Sequence, residues 1–230
     1  MYRQTKYIPV GDRGLLVEFG KAVDPAINRK VHTLNQALTR FHINGVEECV
    51  PTYRSLLIYF DASKTSYDTL VFSVKDLESG LSDSSPPVSR QVIEVPVTYG
   101  GSYGPDLDYV AKLHDLSTEE VITLHTEREY NVYMVGFVAG FPYLGEVADS
   151  IVTPRLETPR LKVPAGSVGI AGKQTGIYPC EAPGGWQIIG RTHIKLFDPK
   201  KHPPSLIRPG DAVRFKRALA GKTRGFAQGN

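Results

Sequence analysis

Between Met134 and Arg191 the chain places Tyr143, Gln174, Thr175, Tyr178, Trp186 and Arg191 among glycines and prolines that recur every few residues. These side chains offer a guanidinium, an amide, hydroxyls and aromatic rings, a set suited to holding a small polar ligand. The surrounding composition says how they are held. Glycine is needed where the backbone takes positive φ or approaches another group closely, and proline where φ is fixed and no amide donor is wanted. A long run of both is a path of specified turns that displays polar side chains, the build of a binding surface or an active-site wall. The same composition also suits a turn-rich β domain whose glycines serve its corners.

Several short motifs suggest a complete catalytic apparatus and fail. AGKQTG at 171–176 has Gln174 where a phosphate-binding loop needs Ser or Thr after Gly-Lys, and Ser167 where its leading glycine belongs. AGSVG at 165–169 has Ala165 in place of the first glycine of a nucleophile elbow, so Ser167 reads as a hydrogen-bonding turn residue. The six histidines are scattered, with no H-x-H or H-E-x-x-H spacing for a transition metal. His32, His114 and His125 fall on predicted helices and are expected at the surface; His193, two residues after Arg191, has the best claim on chemistry. Glu146, Asp149, Glu157 and Glu181 lack a convincing acid–base partner.

The elements that must position these residues fall into two groups. Over residues 1–81, Leu15, Val17 and Phe19 alternate with polar or small residues as in a strand. Asp24-Pro25 is an N-cap with proline at the first helical position. Ile27, Val31, Leu34, Leu38 and Phe41 then form one apolar helix face closed by Gly45. Strands follow at 46–51 and 55–60, and a second helix carries Leu70, Val74, Leu77 and Leu81. The expectation is an α+β N-terminal two-layer domain, with helices on one side of an antiparallel sheet. A polar, proline-broken linker at 82–90 precedes a mostly β domain over 91–217. There Pro96 implies an edge or bulge, a short helix covers 106–116, and Ser117 with Glu120 forms a capping box for another helix. Short strands with Gly/Pro corners then predict a barrel or sandwich, and 218–230 reads as a flexible basic tail.

Bulk properties narrow the class. The 230 residues are 41% hydrophobic and 22% charged with a net charge of +3, ordinary values that argue against nucleic-acid binding. No apolar run is long enough for a membrane span, and two cysteines without C-x-x-C spacing read as reduced thiols of a cytoplasmic protein.

Longer motifs carry a more specific signal. GFPYLG (140–145), TPR at 153–155 and again at 158–160, VPAGSVGIAG followed by QTGIYP (163–179) and PGGWQIIGRT (183–192) resemble the KipI/PxpB family. This family is also called allophanate hydrolase subunit 1, corresponding to carboxyltransferase subdomains C and D. Supporting segments run from VGDRGLLVEFG at 10–20 to LIRPGDAVRF at 206–215. The resemblance implies a cyclophilin-like barrel in the second half and a subunit of an ATP-dependent 5-oxoprolinase. Its partners would be a larger homologous KipA/PxpC-type subunit and a LamB/YcsF-type subunit, with ATP and magnesium acting at the level of the complex. Alternative readings are a KipI-type inhibitor of a sporulation histidine kinase, or a subunit acting on allophanate-like amides. A lactam opened through phosphorylation of its carbonyl oxygen needs oriented donors and cations more than a nucleophile. Within that frame Arg191 and Gln174 are the candidate catalytic residues. Tyr143, Gly166, Ser167, Thr175, Tyr178 and His193 are candidates for holding substrate or anion, with the Gly166 and Ser167 amides as an anion nest. Arg191 as a bridge between loops and Trp186 as a core anchor are the alternatives for those two residues.

Overall fold

A computed structural model describes residues 1–81 and 90–218, and the chain divides into two compact units, Met1–Arg90 and Gln91–Asn230. The linker expected at 82–90, Arg90 apart, and the tail beyond Ala218 lie outside the described residues.

The first unit runs β1 (Lys6–Val10), β2 (Gly14–Glu18), α1 (Pro25–Phe41), β3 (Val46–Pro51), β4 (Ser55–Phe60) and α2 (Tyr67–Gly80). Its antiparallel sheet has the order β1-β2-β4-β3. Leu15, Val17, Leu56, Ile58 and Phe60 share one face of the sheet and bury against Ile27, Val31, Leu34 and Leu38 of α1 and Leu70 and Val74 of α2. The Asp24 carboxylate accepts the amides of Ala26 and Ile27 at 2.8 and 3.0 Å, as the cap requires. The helix stops sooner than Gly45: His42 takes a left-handed φ of 47° and donates its amide to Leu38. Phe41, expected on the apolar face, is therefore the last helical residue and lies 60% exposed. β1 was not anticipated, because KYIPV pairs on one side only and turns just Tyr7 toward the core.

The second unit begins with β5 (Val92–Tyr99), α3 (Leu107–Leu113), α4 (Thr118–Thr126), β6 (Glu129–Val135) and β7 (Pro142–Gly145). It continues with β8 (Arg160–Val163), β9 (Ser167–Ala171), β10 (Gln174–Ile177), β11 (Ala182–Gly184), β12 (Gln187–Arg191) and β13 (Ala212–Arg217). Seven strands close a barrel in the order β10-β7-β6-β13-β5-β12-β9, and β8 and β11 form a separate ribbon. Pro96 is accommodated because β5 pairs with β13 along Val92–Val97 but meets β12 only at Thr98 and Tyr99. The capping box at α4 is complete: Glu120 donates its amide to the Ser117 hydroxyl at 3.2 Å, and its carboxylate accepts the Ser117 amide at 2.8 Å. Val95, Val132, Leu144, Val168, Ile170, Ile177, Ile189 and Phe215 join Val110, Val121 and Ile122 of the two helices in one core.

Two histidines depart from expectation. His32 and His125 are buried rather than surface residues, and His114 is half-buried with its ring nitrogen 3.1 Å from the Thr153 hydroxyl. His125 lies on the face of α4 that packs into the barrel core, where polar partners replace water.

Candidate functional site

The barrel wall formed by β7, β10, β9 and β12 has two differently built sides. Inside, the His125 ring nitrogens lie 2.8 Å from the Tyr99 hydroxyl and 2.9 Å from the Thr175 hydroxyl. Phe215 stacks on the imidazole at 4.4 Å between centroids, and the Tyr130 hydroxyl donates to the His125 carbonyl at 2.9 Å. Burial lowers the His125 pKa to about 3, so the ring is neutral. Burial likewise holds Tyr99 well above its ordinary value. Thr175, a predicted ligand contact, is fully buried in this interior relay.

Outside the same wall lies an aromatic cluster of Phe141, Tyr143, Tyr178 and Trp186, packed with Val163, Ala171, Ala182 and Ile188. Two wall glycines make room for it. A Cβ on Gly176 would sit 2.9 Å from the Trp186 ring, and one on Gly169 would sit 3.1 Å from the Trp186 Cβ. Phe141 meets Tyr178, Tyr143 and Trp186 at centroid separations of 5.0, 4.8 and 5.4 Å. Trp186, Tyr178 and Phe141 are buried, while Tyr143 is half-buried and Phe137 is 60% exposed at the end of the cluster. Phe137 holds a left-handed φ of 67° in a tight 136–141 loop, an unusual conformation for a bulky residue.

The two TPR motifs supply arginines with opposite fates. Arg160 donates to the Asp106 carboxylate at 2.6 Å and to the Trp186 carbonyl at 3.3 Å, and Asp106 also accepts the Ile188 amide at 2.6 Å. This network fixes the chain on both sides of Gln187. Arg155 is exposed, with its guanidinium carbon 5.9 Å from the Trp186 ring centroid, and among the described residues it forms no ion pair. Its backbone surroundings are tied down: Gly172 donates to the Thr153 carbonyl, Gln187 Nε2 to the Pro154 carbonyl and the Leu156 amide to Gly185, at 2.7, 3.0 and 2.7 Å. The buried Gln187 Oε1 has no donor among the described residues.

The predicted site residues do not converge. Arg191 pairs with Ser167 and Gln174 with Ala171, at opposite ends of β9, which places them roughly 13 Å apart along the strand. Arg191 Nε donates to the Ala165 carbonyl at 2.7 Å, so this side chain bridges β12 to the turn that precedes β9. The anion nest is also absent: the Gly166 amide donates to Tyr178 at 2.7 Å and the Ser167 amide to Pro164 at 3.2 Å. Gly166 is needed for its φ of 81° and because a Cβ would collide with the Thr192 carbonyl. Ser167 is buried at the start of β9, and His193 is exposed. Tyr178 has a backbone hydrogen bond from Trp186, and burial pushes its pKa up to about 12. It is a core residue. Tyr143 alone stands at the accessible margin of the aromatic cluster, its pKa raised by burial against the opposing pull of Arg155. Sequence reasoning passed over Phe137, Arg155, Asp106 and His125. The TPR duplication was the signal available for Arg155, but nothing in it separates the presented arginine from the paired one.

With the geometry in place, comparison with known proteins assigns the family. Residues 5–207 match the carboxyltransferase domain, subdomain C and D. The chain belongs to this family. It is 43% identical over 217 residues to the B component of the 5-oxoprolinase of Bacillus subtilis (strain 168), covering 90% of each chain. With the corresponding 5-oxoprolinase component of Escherichia coli O157:H7 it shares 41% identity over 94% of this chain and 96% of the relative. The crystal structure of TTHA0988 superposes with a TM-score of 0.80 at 40% identity over 90% of this chain, which spans only 40% of that longer protein. The stretch that this chain matches is thus part of a longer polypeptide in TTHA0988 and nearly the whole length of the two 5-oxoprolinase relatives.

Proposed function

We propose that the chain is a non-autonomous subunit of an ATP-dependent 5-oxoprolinase that opens 5-oxo-L-proline to L-glutamate. The observation that carries this is the 43% and 41% identity, over 90% and 94% of the chain, to two proteins named as the B component of 5-oxoprolinase. A larger KipA/PxpC-type subunit and a LamB/YcsF-type subunit would complete the complex, in the cytoplasm, where the free thiols of Cys49 and Cys180 are at home. The seven-strand barrel is read as cyclophilin-like, a fold that by itself implies no isomerase activity.

Ring opening adds water across the lactam C–N bond, leaving a carboxylate and an ammonium. The residues of this chain support a binding and orienting role in that reaction. Ser167 is buried in a strand, and among the described residues no hydrogen bond joins its hydroxyl to a histidine, so it is not half of a nucleophile–base pair. Nor do the residues of the 165–176 region fit a nucleotide: the turn amides are engaged within the fold, and Lys173 pairs with Asp149 at 3.2 Å. ATP and its magnesium are therefore assigned to the complex, with contacts from the partners.

The test is glutamate release from 5-oxoproline with ATP, measured for this chain, for the two partners without it, and for all three. Activity is expected only in the full mixture. Full turnover by the two partners alone would remove this chain from the enzyme.

A further inference from the structure

We infer that the margin of the aromatic cluster is a carboxylate-recognition subsite for a small ring compound, with Arg155 as the charged contact and Phe137 and Tyr143 as its walls. The argument starts from what Arg155 lacks. Its sequence twin Arg160 is paired with Asp106, whereas Arg155 has the Trp186 ring beneath it and no carboxylate among the described residues. An arginine over an aromatic face keeps its planar fork available for bidentate pairing with an incoming anion.

The second observation is preorganisation. Thr153, Pro154 and Leu156 are each hydrogen-bonded to the barrel or its attached turns, so the backbone that carries Arg155 is held on both sides. The third is Phe137. An exposed phenylalanine held at φ 67° satisfies neither burial nor backbone preference, and strain of this kind clusters at ligand-binding positions. Phe141 sits beneath Phe137 in edge-on contact at 5.9 Å and also packs against Tyr143. Two aromatic walls with one cation suit a compact ring that bears a carboxylate. The identity of that ring as a lactam rests on the oxoprolinase reading; the subsite itself does not.

Trp186 is the only tryptophan in the chain, so its fluorescence reports on this place alone. The full chain is titrated separately with 5-oxoproline, with 2-pyrrolidinone (the same lactam without a carboxylate) and with inorganic phosphate. Saturable change is expected with 5-oxoproline, with half-saturation at roughly tenfold or more lower concentration than with either comparison ligand. Arg155→Gln should raise the 5-oxoproline midpoint by about tenfold or more while leaving the pyrrolidinone response unchanged. Phe137→Gly, which suits the left-handed backbone, should weaken both lactams alike. Equal response to 5-oxoproline and 2-pyrrolidinone, an equal response to phosphate, or an unaltered Arg155→Gln titration would overturn the subsite. The two readings fail separately. Selective binding by the chain with no lactam opening in the complete complex would keep the subsite and sink the oxoprolinase assignment. An active complex with an unresponsive Trp186 would do the reverse.

Discussion

The inner and outer sides of one barrel wall use similar residue types to opposite ends. Inside, His125 and Thr175 are fully buried at the core, and His125 hydrogen-bonds with both Thr175 and the half-buried Tyr99. Outside, Phe141, Tyr178 and Trp186 are as buried, but they support a margin where Phe137, Tyr143 and Arg155 meet solvent. The difference lies in what closes each side. The interior is sealed by α3 and α4, so each polar group there needs a partner from the chain. The outer cluster packs against Val163 and Ala182 of the β8–β11 ribbon, and at its margin Tyr143 is half-buried and Phe137 exposed. Polarity of a residue thus says little about function here; closure around it says more.

The most severe way to break the comparison is to remove the outer support. Trp186→Ala should destabilise the chain by about 3–5 kcal/mol, because a large buried ring is lost from a site shaped by Gly169 and Gly176. Urea unfolding would measure it. A loss below about 1 kcal/mol would mean that the outer cluster contributes little to the fold.

A smaller effect sharpens the contrast between the twin arginines. Asp106→Asn should cost about 2 kcal/mol, since the charged acceptor for Arg160 is lost and the hold on the Ile188 amide is weakened. Arg155→Gln should stay within about 0.5 kcal/mol of the parent, as expected for an exposed side chain outside any network. Equal losses in the two variants would show that both arginines are structural.

Much of this arrangement was legible in the sequence, and the remainder has physical reasons for being hidden. The first unit follows from periodicity: Leu15 and Val17 alternate, Ile27 to Leu38 recur at helical spacing, and Asp24 caps as its type predicts, as Ser117 does in the second unit. The glycine-rich stretch does build specified turns and tight approaches, as at Gly166 and Gly176. Convergence was not legible. Arg191 and Gln174 lie close in sequence, yet the β9–β10 hairpin sends them to opposite ends, and only strand register decides that. The engagement of the Gly166 and Ser167 amides depends on Tyr178 and Pro164, partners fixed by the tertiary path. His125 resembled a surface helix residue because most of its neighbours in α4 are polar; its partners come from β5 and β10.

His125 also provides the subtlest test of the inner side. Its folded pKa of about 3 lies below the ordinary value of 6.5, so in that window the unfolded chain binds the extra proton. Stability contributed by the neutral ring is therefore complete above pH 6.5 and is lost as pH falls toward 3. The groups facing the imidazole are Tyr99, Tyr130, Thr175 and Phe215, none of which carries a charge that would stabilise the imidazolium. Between pH 7 and pH 5.5 this single residue should remove about 1.3 kcal/mol of stability. His125→Gln will be less stable at pH 7, because Tyr99 and Thr175 lose well-placed partners, but its decline over the same interval should be smaller by that amount. Denaturant unfolding at the two pH values separates these effects. An identical decline in both proteins would mean that the ring takes up its proton inside the folded barrel, and the sealed interior on which the comparison rests would have to be open to solvent.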